Sequence, residues 1–333
     1  MVKWLVWFPL RLLRWALVAI GALALVLAAM IATPLRRPPE LRSVAEAARS
    51  VDRSTMPQLE RFSGRDGTSL AYRHYAPRGA ALGKIAIIMH GSSGSSPAVH
   101  GLADALAARG IETYAPDIRG HGGSGTRGDI AYTGQLENDL EDFVALVRKT
   151  EPNAPITLLG HSAGGGFALR VASSPIAGLF ARAVLLAPYL GYDAPTNRPD
   201  SGGWASPDLP RIFGLMVLRG LHIDCCESLP ALAFAVPANS ERFLAPTYSY
   251  RLLRDFATRG YKADLAAATI PLTLIAGADD ELMLADKYAD AVRAVAPTIK
   301  VKLIDGIDHM GIVGSAKAVA VVSDDVARAG AGS

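Results

Sequence analysis

Three side chains far apart in the sequence have the types and the settings needed for nucleophilic chemistry. Ser162 lies in Gly160-His161-Ser162-Ala163-Gly164, directly after the apolar run Ile156-Thr157-Leu158-Leu159 and ahead of Phe167–Ala172, which reads as a helix. Strand, sharp turn and helix around G-x-S-x-G make a nucleophile elbow: small residues two positions to either side admit the turn, and the hydroxyl is pushed clear of the sheet. The next N–H, that of Ala163, is then aimed where an oxyanion forms. A serine nucleophile needs a base, and the base needs a group to orient it. His309, in Gly306-Ile307-Asp308-His309-Met310-Gly311, follows the last expected strand, and Asp280, in Gly277-Ala278-Asp279-Asp280, follows the strand before it. Asp279 stands as the alternative acid, with Asp193 and Asp308 behind it. A second oxyanion donor is expected in His90-Gly91-Ser92-Ser93-Gly94, at the N–H of Ser92. Among the other histidines, His161 is expected to pack or support the turn, and His74, His100 and His222 sit in no comparable context.

These residues need a scaffold that brings strand ends together. Leu59–Ser63 and Ser69–Tyr75 read as a hairpin through Arg65-Asp66-Gly67. Lys84–Met89 is a continuous apolar run of the kind buried on both faces of a sheet. Helices near Ala98–Arg109 and Leu136–Lys149 precede strands at Glu112–Ala115 and Ile156–Leu159. Strands Ala183–Ala187, Pro271–Ala276 and Val301–Ile304 follow, with helices around Ala285–Val295 and Ser315–Ala329. Strands alternating with helices imply a doubly wound, mostly parallel α/β sheet. The alternation stops from about 190 to 268. A structureless loop of that length would be unusual, so a helical insertion is expected there, beside the carboxyl ends of the strands where ligands bind.

Half of the 333 residues are hydrophobic, enough for one large domain even with a membrane segment set aside. The net charge of +3 combines +5 in residues 1–42 with −2 in the remainder, so no basic face for nucleic acid is implied. The two cysteines, Cys225 and Cys226, are adjacent and bridge only with strain, which argues against a disulfide framework; they read as ordinary small residues of the helical insertion. No Cys/His spacing suggests a metal, and the chemistry above needs no cofactor.

Trp15–Ala32 is an uninterrupted apolar run of 18 residues, long enough as a helix to cross a hydrocarbon core. Trp4, Trp7 and Trp15 suit an interfacial belt, and Arg11 and Arg14 a headgroup position. A cleavable signal peptide is the competing reading, but no small-x-small site follows directly, which favours an uncleaved anchor. Basic residues flank the run equally, so orientation rests on a slight preference for a short N-terminus inside and the enzyme outside. The expected organisation is an anchor at 1–35, a tether at 36–58 with a short helix around Val44–Ala48, and a catalytic domain at 59–333.

The combination of His90-Gly91, Asp117-Ile118-Arg119-Gly120-His121-Gly122-Gly123-Ser124, the elbow, Gly277–Asp280 and Asp308-His309 resembles the α/β-hydrolase superfamily over about residues 59–333. Arg119–Ser124, with Arg127-Gly128-Asp129 and Gln135–Leu140, looks most like its lysophospholipase and monoacylglycerol-lipase branch, which is serine aminopeptidase-like. The resemblance implies an α/β-hydrolase fold in which the insertion is a lid, Asp117 and its loop are mostly structural, and an acyl glycerol-like ester is hydrolysed. The N-terminal anchor and the lid depart from that branch. Serine at the elbow argues against dehalogenase and epoxide hydrolase chemistry. Thioesterase, amidase or peptidase, perhydrolase and small-ester activities share the machinery, and a catalytically silent, membrane-tethered binding module is the alternative of a different class. Ile212–Leu218 and Leu229–Val236 are apolar enough to line an acyl-chain pocket.

Overall fold

The computed structural model describes residues 2–237, 244–256 and 258–328, with side chains from Leu10 onward. Along the chain come helices α1 (Val2–Ile31) and α2 (Arg42–Ser50), then strands β1 (Leu59–Ser63), β2 (Ser69–Tyr75) and β3 (Ile85–Met89). Next are α3 (His100–Ala108), β4 (Glu112–Pro116), α4 (Gln135–Val147), β5 (Ile156–His161), α5 (Ala163–Ala172) and β6 (Arg182–Leu186). The insertion holds β7 (Ala205–Pro207), α6 (Leu209–Gly220), β8 (Pro230–Phe234), β9 (Thr247–Ser249), α7 (Tyr250–Asp255) and α8 (Tyr261–Ala267). The chain then completes β10 (Leu272–Gly277), α9 (Tyr288–Arg293), β11 (Lys300–Ile304), α10 (Gly311–Gly314) and α11 (Ala316–Arg328).

The main sheet has eight strands in the order β1-β2-β4-β3-β5-β6-β10-β11. The β1–β2 and β2–β4 pairs are antiparallel and every later pair is parallel. This is the α/β-hydrolase fold. Every residue of β3 and β5 is buried, as expected of strands covered by helices on both faces. Helix α4 shows how a covering helix is specified: Leu136, Leu140, Phe143, Val144 and Val147 recur at helical spacing and are buried, while Glu141 and Ala145 keep to the outer side. The parallel strands all point one way, so the loops after β3, β5, β10 and β11 gather at one end of the sheet.

The insertion is not simply helical. Its centre is a three-stranded antiparallel sheet, β7-β8-β9, beside α6. Two of these strands have three residues each, too short to show a period-2 pattern, and they are held by pairing rather than by local preference. Cys225 and Cys226 lie exposed in the turn after α6, not in a helix. The expected tether carries α2, whose Ala45 is buried, and the N–H of Leu41 donates to the Ala235 carbonyl of the insertion at 3.2 Å.

Helix α1 contains the apolar stretch Leu10–Ile31, 22 residues long and almost wholly exposed except where its C-terminal end meets α6. There Gly214 is tight against it: a Cβ at that position would stand 3.1 Å from Ile31 Cγ1. Arg211 donates from Nε to the Ile31 carbonyl at 2.8 Å and from its guanidinium to the Thr33 carbonyl, while Thr33 Oγ1 donates to Asp208 Oδ1 at 2.7 Å. Asp208 also caps α6 by accepting from the Arg211 N–H. The side chains of Trp4 and Trp7 lie outside the described residues; Trp15 is exposed.

Candidate active site

Ser162 follows β5 and precedes α5 with φ 54° and ψ −118°, a conformation that is strained for any residue with a Cβ. The surroundings over-determine it. Its N–H donates to the Leu186 carbonyl at 2.9 Å, and its carbonyl accepts from the N–H groups of Gly165, Gly166 and Tyr189. The flanking glycines are sterically required: a Cβ on Gly160 would lie 2.1 Å from the Gly164 carbonyl oxygen, and one on Gly164 would lie 2.4 Å from that of His90. The sharp turn and its small neighbours are therefore as expected from the sequence.

Asp280 and His309, from the loops after β10 and β11, meet at 2.8 Å between Oδ2 and Nδ1, and both are 2% exposed. Facing a carboxylate, Nδ1 carries the proton, which leaves Nε2 as a base. Asp280 Oδ1 accepts from the N–H groups of Leu282 (2.8 Å) and Met283 (2.7 Å). Burial works against ionising this carboxyl, but the imidazole of His309 and the two N–H donors outweigh it and hold Asp280 below the usual carboxylate range. Asp279, Asp193 and Asp308 are exposed, and Asp308 is occupied in accepting from the Gly311 N–H.

The imidazole of His309 is also gripped from behind. His161 Nε2 donates to the His309 carbonyl at 3.0 Å, and the two rings lie 4.8 Å apart. Burial, helped by the positive charge His309 can carry, pushes His161 down to about 3, so it stays a neutral support. Glu281 Oε2 accepts from the His309 N–H at 2.9 Å, and Arg198 donates to the carbonyls of Asp280 (3.0 Å) and Met283 (3.2 Å). Neither Glu281 nor Arg198 was marked by any motif.

The loop after β3 brings Gly91, the neighbour of the second oxyanion candidate Ser92, up to Ser162: a Cβ on Gly91 would stand 3.1 Å from Ser162 Cβ. Among the described residues, no hydrogen bond takes up the N–H of Ser92 or of Ala163. Ala163 N–H is moreover the first of α5, where the helix dipole favours negative charge. Asp117 is structural, its oxygens accepting from the N–H groups of Ser96 and Gly123. Among the described residues no group of three or more His, Cys, Asp or Glu side chains is placed to hold a metal ion.

The apolar segments of the insertion divide. Leu215, Ala231, Ala233 and Phe234 face inward, whereas Phe213 and Met216, expected as pocket lining, point outward. A cavity of about 510 Å³ between Tyr132, Arg219, Glu227 and Arg251 contains no residue of the Ser162–Asp280–His309 group.

Comparison with known proteins bears on the family and the fold. Residues 81–313 match the family described as serine aminopeptidase, S33. The chain is 33% identical over 108 residues to a monoacylglycerol lipase of Mycolicibacterium smegmatis, covering 32% of this chain and 38% of that protein. It is 31% identical over 151 residues to the monoglyceride lipase of Homo sapiens, covering 45% and 48% respectively. The chain thus spans less than half the length of these curated relatives. Its fold is shared with a Saccharomyces cerevisiae monoglyceride lipase (TM-score 0.61, 18% identity, 83% of this chain and 95% of that one). It is also shared with a bacterial membrane phospholipase A (TM-score 0.55, 16% identity) over 97% of this chain and 99% of the other, a span that takes in part of α1. With a family match over most of its length and a sheet to suit, the chain belongs to the serine aminopeptidase S33 family of α/β-hydrolases.

Proposed function

We propose that this protein is a membrane-anchored serine hydrolase that cleaves carboxylic esters of acyl glycerols, monoacylglycerols or lysophospholipids, through an acyl-enzyme. The buried Asp280–His309 pair, packed against His161 next to a serine on a strained elbow, carries the reading. His309 Nε2 takes the proton of Ser162 as Oγ attacks the carbonyl carbon, and the N–H groups of Ser92 and Ala163 receive the oxyanion. The protonated imidazole then gives its proton to the departing alcohol. A water deprotonated by His309 attacks the acyl-enzyme and frees the acid. Asp280 fixes the imidazole tautomer and offsets its charge.

The monoglyceride lipases among the relatives support the substrate class. The exposed apolar helix Leu10–Ile31 supports an anchor at 1–35, a tether at 36–58 and a catalytic domain at 59–333 whose lid spans about 190–268. The family description favours one rival, amide hydrolysis on the same machinery.

The test is a p-nitrophenyl ester series from acetate to palmitate on detergent-solubilised full chain, with aminoacyl p-nitroanilides in parallel and Ser162→Ala as control. Activity that rises with acyl length and vanishes in the variant is expected. Faster anilide cleavage would move the assignment to a peptidase. Equal rates in both proteins would remove Ser162 from its role.

A further inference from the structure

The motif Arg119-Gly120-His121-Gly122 has no part in the chemistry above, and the structure gives one of its residues a partner in the insertion. His121 Nδ1 faces the carbonyls of Ile118 (3.3 Å) and Arg119 (3.2 Å), so that nitrogen carries the proton and Nε2 is an acceptor. Tyr248 Oη, 2.5 Å away and 2% exposed on β9, donates to it. The phenol oxygen then has a lone pair to spare, and the N–H of Ser93 donates to it at 2.7 Å. The insertion grips the same loop twice more. The N–H of Ala245 donates to the Ser93 carbonyl at 2.9 Å, and Trp204 Nε1 donates to Ser92 Oγ at 2.9 Å.

Ser93 has φ 63°, a left-handed conformation that residues with a Cβ rarely hold without help. Its N–H, its carbonyl and the side chain of the preceding serine are each tied to the insertion. Ser92, whose own N–H is the oxyanion donor, is therefore fixed from its C-terminal side by residues more than a hundred positions away. Tyr248 is wedged in place by Phe234 and His121, with ring centroids 4.6 Å and 5.2 Å distant.

We propose that Tyr248 and Trp204 are positioning residues for the oxyanion hole, and that the β7–β9 sheet is the fixed base of the lid, a part of the catalytic machinery that stays seated on the loop after β3. This rests on the serine-hydrolase reading above. A donor misplaced by a fraction of an ångström stabilises the tetrahedral state less while leaving the bound ester untouched. The role therefore belongs to turnover and not to substrate affinity.

The test uses full-length Tyr248→Phe in detergent, with a p-nitrophenyl ester as substrate and an alkyl trifluoromethyl ketone as tetrahedral analogue. We expect kcat to fall about 10- to 100-fold with KM nearly unchanged, and the ketone Ki to rise by the same factor as kcat/KM falls. Unchanged kcat and Ki, whatever happens to the melting midpoint, would overturn the proposal, as would a rise in KM alone. If Tyr248→Phe does not fold, Trp204→Phe keeps a ring, loses the N–H to Ser92 and carries the same test. Ser162→Ala separates the two levels: activity retained there removes the underlying reading. An inactive Ser162→Ala beside an unimpaired Tyr248→Phe removes only this one.

Discussion

Asp279 and Asp280 are neighbours in sequence and opposites in setting. Asp279 is exposed, while Asp280 is buried with one oxygen on two N–H donors and the other on His309. Replacing Asp280 by Asn keeps the shape and lets the side-chain carbonyl accept from Leu282 and Met283. The amide nitrogen then faces His309 Nδ1, favours the wrong imidazole tautomer and leaves the imidazolium without a counter-charge. We expect Asp280→Asn to lower kcat about 10⁴-fold, with ester KM and the melting midpoint little altered. Asp279→Asn should match the parent protein in initial-rate assays. A large loss in Asp279→Asn with a mild one in Asp280→Asn would reverse the assignment. Glu281 completes the contrast, because consecutive acidic residues here have three separate fates: solvent, imidazole and the His309 main chain. Sequence alone left the first two as rivals, since only burial tells them apart.

At the scale of elements, the sequence was most readable where burial is two-sided or geometry intolerant. The apolar runs of β3 and β5 and the glycines around Ser162 announced the sheet and its elbow. The insertion was not readable in this way. Its short strands carry no periodicity, and the contacts that matter join residues 155 apart (Ser93 and Tyr248) and 180 apart (Arg211 and Ile31). Helix α6 shows what such contacts decide. It is fastened to the end of α1 by Arg211 and Asp208, and its other face leaves Leu209, Phe213 and Met216 66%, 51% and 50% exposed at helical spacing. If α1 spans a bilayer, that face lies at the headgroup boundary, where burying apolar side chains is favourable. With Cys225 and Cys226 changed to Ser, a single cysteine at position 213 carrying an environment-sensitive fluorophore should shift to the blue in vesicles and be quenched by spin-labelled lipid. The same label at position 303, on β11, should do neither. Quenching at position 17 of α1 without quenching at 213 would leave the anchor in place and lift α6 off the membrane.

For the molecule as a whole, three of the buried polar groups impose a dependence on acid. His90, His121 and His161 are at most 2% exposed, and burial lowers all three from the ordinary histidine value, His161 to about 3 and His121 well below 6.5. Each has a fixed hydrogen-bonding job as a neutral ring: His90 Nε2 accepts from the Ile118 N–H, His121 accepts from Tyr248, and His161 supports His309. The unfolded chain protonates them near pH 6.5 and the native chain does not, so below that pH the unfolded state binds more protons and stability falls with pH. Each contributes a slope of about 1.4 kcal/mol per pH unit while it stays neutral in the fold, at most about 4 kcal/mol per unit for the three together. Asp280 has the same sign but acts only below the ordinary carboxylate range, because its folded value is depressed. Asp139 and Asp255, raised by burial, oppose the slope from that range upward. Urea unfolding in detergent between about pH 7.5 and about pH 5.5 should therefore show stability dropping as the solution is acidified, most steeply below pH ~6.5. His161→Gln should remove one of the three contributions and flatten the curve, whatever it does to catalysis. A parent protein equally stable at both ends of that range would show that these rings take up protons in the folded state, and the neutral supports assigned to His309 and Tyr248 would fall with it.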